Sequence, residues 1–121
     1  MENVEILIVD EPIALDVLAP LAKEWHGTLV KGVADIARGK IALGGEWHMD
    51  ANSVLIADGA RQEDVWGFNI YPEEMQGRVL EFISLINIRP QQGNRGMEIT
   101  DEAVRAKIAH IVQRLIPDSA L

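Results

Sequence analysis

Three runs rich in β-branched and aromatic residues, each closed by a proline, constrain this 121-residue chain most. They are Val4–Val9 (VEILIV, before Pro12), Val65–Tyr71 (VWGFNIY, before Pro72) and Val79–Arg89 (VLEFISLINIR, before Pro90). Such residues fit a pleated, half-buried surface, and proline cannot donate to a ladder, so each run predicts a strand and its end. Thr28–Ile36 predicts a further strand, with Arg38-Gly39 as a hairpin turn. From Lys40 the apolar residues Ile41, Leu43, Trp47 and Met49 share one parity, and Glu46, His48 and Asp50 share the other. This alternation predicts a strand with one apolar and one polar face.

Helical spacing occurs near both ends. Ala14, Val17, Leu18, Leu21, Ala22 and Trp25 fall on one face. Pro20 requires either a helix that starts near Asp16, with the proline in its first turn, or a kink. Gly27 suits the helix stop. At the other end Thr100 is an N-cap candidate. Asp101 and Glu102 suit the positive end of the dipole, and Val104, Ile108, Ile111, Val112 and Leu115 form a stripe before Pro117. Residues 51–58 are open between a strand and a short helix capped by Asp50 and stopped by Gly59, with the helix favoured. The expected fold is α+β: a mainly antiparallel sheet packed against terminal helices, a two-layer sandwich forming one domain over residues 1–121.

Composition narrows the function classes. With no cysteine, thiolate metal sites, disulfides and a cysteine nucleophile are excluded. Nineteen acidic against eleven basic residues give a formal net charge of −8, which disfavours nucleic acid and anionic membrane surfaces. The first residues lack a basic and apolar leader, and apolar runs are far shorter than the roughly 20 residues of a membrane span, so a cytoplasmic location is expected. Phosphate-binding glycine loops, H-E-x-x-H and G-x-S-x-G are absent from the sequence. No cofactor is expected.

Two segments could carry chemistry. The loop Arg89–Gly96 (RPQQGNRG) gathers arginines, amides and glycines in an acidic chain. Guanidinium forks and amides suit a small anionic or polar ligand, which makes Asn87, Arg89, Asn94 and Arg95 candidate ligand-binding residues. The competing reading is a surface turn whose arginines pair with carboxylates. In Glu46–Asp50, His48 and Asp50 could act as a base and its orienting group, or as two metal ligands. A metal would need a third ligand from elsewhere, such as His26 or Glu81, and no metal site is expected. Against both stands a solvated polar face. Asn69 and Tyr71, before Pro72, echo Asn87 and Arg89, before Pro90, each pair sharing a parity. His110 is expected to be exposed, His26 to sit at a helix end, and the tryptophans to anchor a core or an interface.

The stretches GGEWHMDA, DGARQEDVWGFNIYP and especially SLINIRPQQGNRGMEI resemble a family of small bacterial proteins of unknown function. The resemblance covers most of the chain and implies a self-contained bacterial domain, with no activity attached. In that pattern a serine often stands at the places of Ala60 and Gly96. The leading expectation is therefore a non-catalytic binding or regulatory module acting as a homodimer. The alternative is a small hydrolase-like enzyme with a His48/Asp50 site and an Arg89/Arg95 anion-binding loop.

Overall fold

The computed structural model describes residues 6–75 and 78–119. Five antiparallel strands, β1 (Leu7–Val9), β2 (Val30–Asp35), β3 (Lys40–Leu43), β4 (Val65–Met75) and β5 (Arg78–Glu81), form one sheet in the order β1-β3-β2-β4-β5. Helices α1 (Leu18–Trp25), α2 (His48–Ala57) and α3 (Glu102–Leu115) complete the α+β fold. Val4 and Glu5, the start of the first expected strand, lie outside the described residues.

Strand alternation divides the core in two. Val30 and Ala34 of β2, Ile41 and Leu43 of β3, and Trp66, Phe68 and Ile70 of β4 face α1 and α3, meeting Leu18, Leu21, Ile108, Val112 and Leu115. Val33, Ala42 and Val65 face the other way, onto Ala51 and Leu55 of α2. The terminal helices thus cover one face as expected. The internal helix α2 adds a partial third layer that the two-layer expectation lacked.

At the termini of α1 the local chemistry works as anticipated, and at the start of α3 it is shifted by one residue. Pro20 is the third residue of α1, where its missing N–H costs no intrahelical bond. Gly27, at φ +83°, closes that helix with its N–H on the Ala22 carbonyl. At α3 the cap is Asp101 rather than Thr100, since its carboxylate accepts from the N–H groups of Ala103 and Val104.

Two expected strands are corrected. β3 ends at Leu43, because Gly44 and Gly45 adopt φ of +114° and +90° and turn the chain into α2. His48 and Asp50 therefore lie on the first turn of a helix, not on a strand face, and Asp50 is not the N-cap but accepts from the Trp47 N–H three residues back. β5 ends at Glu81. Beyond it Phe82 and Ser84 pair by backbone with Ile99 and Met97, Leu85–Asn87 forms a 3-10 turn, and Asn87 and Arg89 share no strand. Conversely, β4 does not stop at Pro72 but runs to Met75, through an irregularity in its pairing with β5 and beyond its last pair with β2 at Val30–Ile70. The proline there interrupts no β2 ladder bond.

Candidate functional site

The RPQQGNRG loop is a closed hairpin. Arg89 and Asn94 exchange backbone hydrogen bonds, Pro90–Gln92 is a 3-10 turn, and Gly93 at φ +83° reverses the chain. Of its polar side chains Arg89 and Asn94 are buried, whereas Gln91, Gln92 and Arg95 are exposed. β5 stops opposite Asn69, leaving the β4 backbone at Gly67 and Val65 without a neighbouring strand on that side. The Asn87 amide replaces that strand: its Oδ1 accepts from the Gly67 N–H at 2.8 Å and its Nδ2 donates to the Gly67 carbonyl at 3.0 Å. Arg89 continues the substitution, donating to the carbonyls of Val65, Gln62 and Ile86. Its guanidinium lies 4.4 Å from the Trp66 ring centroid. Burial holds Arg89 below its ordinary pKa. Asn94 Nδ2 donates to the carbonyls of Asn87, Gly96 and Glu98, while its Oδ1 accepts from Thr100. Buried backbone groups need partners, and these three side chains supply them. Arg95 stays exposed, with no hydrogen bond or ion pair among the described residues.

His48 is 7% exposed and its Nε2 lies 2.8 Å from the Phe68 carbonyl. A carbonyl only accepts, so Nε2 carries the proton. Desolvation lowers the ring's pKa to about 4, with Lys31 adding to the fall and the Phe68 and Asn69 contacts opposing it. The ring is neutral at pH 7. His48, Arg89 and Asn94 line three different depressions. Asp50 is held by the Trp47 N–H in the first turn of α2, and among the described residues no three His, Asp or Glu side chains stand close enough to share a metal ion. His26 is placed as anticipated at the end of α1, with Nε2 on the Glu46 carbonyl, and His110 is exposed.

A different constellation does form. Lys31, Asn69 and Glu81 stand opposite one another on β2, β4 and β5, facing the α2 side. Asn69 Nδ2 donates to Glu81 Oε1 at 2.9 Å, and the Tyr71 hydroxyl donates to the same oxygen. Asn69 Oδ1 lies beside His48, but the ring N–H is aimed at Phe68, so this buried oxygen has no hydrogen bond among the described residues. Over this row opens a groove of about 510 Å³. Lys31, His48, Asn69 and Ser84 are its polar lining, and Trp47, Met49, Leu85 and Met97 are exposed on its walls. Trp47 is 60% and Leu85 67% exposed. Concave apolar sites with a few fixed polar groups are the usual form of a small-molecule site. Sequence reasoning passed over Lys31, Ser84, Leu85 and Met97. The one available signal was a lysine, and likewise Asn69, inside an otherwise apolar strand run, where each must occupy a face with polar company.

The family model described as "Protein of unknown function (DUF5674)" matches residues 7–115. No curated protein and no solved structure matches the chain.

Proposed function

Since the chain belongs to this DUF5674 family of proteins of unknown function, we propose from geometry that it is a non-catalytic binding module whose working surface is the groove between α2 and residues 83–86. The single observation that carries this reading is convergence: Trp47, Met49, Leu85 and Met97 are exposed around one cavity with a buried polar floor. Exposed apolar groups gathered at one place mark binding surfaces, whereas scattered ones do not. The candidate catalytic groups lack such convergence. His48 donates its N–H to a backbone carbonyl, and Arg89 donates to carbonyls of the fold. The neutral dye N-phenyl-1-naphthylamine tests the reading. Its fluorescence should rise and saturate at one dye per chain, and W47A/M97A should weaken it about tenfold, as expected for two lost apolar walls. An unsaturable rise, or unchanged binding by the variant, rejects the groove.

A second reading, association of two copies, is favoured by the exposure of Trp47 and Leu85, with the exposed Ile88 lining a depression together with Met49 and Leu85. Two copies meeting rim to rim cover these side chains, as an isologous contact does.

A further inference from the structure

Lys31 is half-buried in the central strand β2, lines the groove, and makes no ion pair or hydrogen bond among the described residues. Among the described residues the other buried or half-buried cations are provided for. Arg38 and Lys40 meet Asp35 and Asp58, Arg89 has carbonyls, and Arg105 has Glu98 and the Ile99 carbonyl. Burial lowers the Lys31 pKa, and the charge of Glu81 offsets part of that fall. The Glu81 carboxylate is itself engaged by Asn69 and Tyr71. Ser84 also lines the groove and is buried with its Oγ accepting from the Ile86 N–H, so its hydroxyl hydrogen is still available to donate. The His48 N–H, by contrast, is occupied.

Resting on the groove as the working surface, we propose that its ligand is a small amphipathic carboxylate, with the carboxylate on the Lys31 ammonium and the Ser84 hydroxyl and the apolar body between Trp47, Leu85 and Met97. An ammonium and a hydroxyl are donors matched to a carboxylate, and a charge-assisted hydrogen bond is about twice as strong as a neutral one. An apolar tail removes the Trp47, Leu85 and Met97 surfaces from water. A multivalent phosphate fits less well, because among the described residues the groove lining holds no second cation to spread its charge over.

Three ligands with one tail and different heads separate the possibilities: octanoate, 1-octanol and octylammonium, each displacing the naphthylamine dye. Octanoate should displace it at about one tenth the concentration that octanol needs, the gain expected of one partly solvated charge-assisted contact. K31M should erase that preference while leaving octanol unchanged. K31R should preserve most of it, which separates loss of charge from damage to β2. Raising the pH through the depressed Lys31 pKa should erase it too. Equal displacement by octanoate and octanol overturns the carboxylate while leaving the groove in place. Octylammonium binding most tightly overturns it as well, by assigning the head group to Glu81. Failure of all three ligands to displace a dye that saturates also overturns the proposal. Failure of the dye itself to saturate removes the groove reading beneath it.

Discussion

At the residue scale, buried side chains here stand in for missing backbone. Asn87 satisfies both polar groups of Gly67 and also donates to the Met97 carbonyl. An Asn87→Ala variant leaves those groups buried and unpaired, so we expect a loss of about 3 kcal/mol in urea unfolding. Asn87→Asp should be no better, because it keeps an acceptor for the Gly67 N–H but sets an anion against two carbonyls. A loss below about 1 kcal/mol for either would mean that water replaces the amide. His48 makes a second prediction, from its pKa of about 4 against the ordinary imidazole value of 6.5. As pH falls below 6.5 the unfolded chain takes up a proton that the native ring refuses. The stabilisation is therefore complete above 6.5, falls on acidification, and is lost by about pH 4, a total of roughly 3 kcal/mol. His48→Gln keeps an N–H for Phe68 but does not titrate. The stability difference between the two proteins should therefore shift toward the variant between pH 6.5 and 4, whereas parallel curves would place the ring in contact with water.

At the element scale the close approach of the 84–86 turn to β4 depends on one glycine. A Cβ on Gly67 would lie 2.6 Å from Ser84 Cβ and 3.1 Å from Ile86 Cγ1. Gly67→Ala should therefore cost about 2 kcal/mol or more through overpacking, and Ser84→Gly in the same chain should recover part of it. Simple additivity of the two in a double-mutant cycle would mean that they do not touch. The same contact explains why the sequence was readable in some places and not in others. The terminal helices were legible because stripe and stop agree locally at Leu18–Gly27 and Asp101–Pro117. The run Val79–Arg89 has strand composition throughout, yet only Val79–Glu81 belong to a strand of the five-stranded sheet. Asn87 and Arg89 bond to β4 through side chains, a long-range choice that propensity does not register. Residues 40–50 misled differently, since a two-residue alternation continues across Gly44-Gly45, where the backbone has already turned. The misplaced strand put His48 outside and Trp47 inside, whereas the helix start buries the histidine and exposes the tryptophan. The candidate site was hidden for the same reason, as it joins β2, β4, α2 and the 83–86 segment.

At the scale of the whole molecule, self-association must work against charge. Each chain carries a formal −8, so two copies repel, while the rim they would share is apolar: Trp47, Met49, Leu85 and Ile88. Salt screens the repulsion between exposed charges and leaves apolar burial intact, so association through this rim should tighten as salt is added. Light scattering coupled to size-exclusion chromatography, at 50 and 500 mM NaCl, should show the dimer fraction growing, with its dissociation constant falling by about threefold. An interface held by ion pairs would respond in the opposite direction. W47S/L85S removes the two most exposed apolar groups of the rim and should remain monomeric at both salt concentrations. Its unfolding free energy should stay within about 0.5 kcal/mol of the parent, since surface substitutions seldom cost more. A parent protein that is monomeric at every concentration and salt would reject the homodimer and leave the rim as the mouth of a ligand site. A variant that still dimerises would move the contact elsewhere, with the edge strand β1 next in line because among the described residues its ladder is paired on one side only.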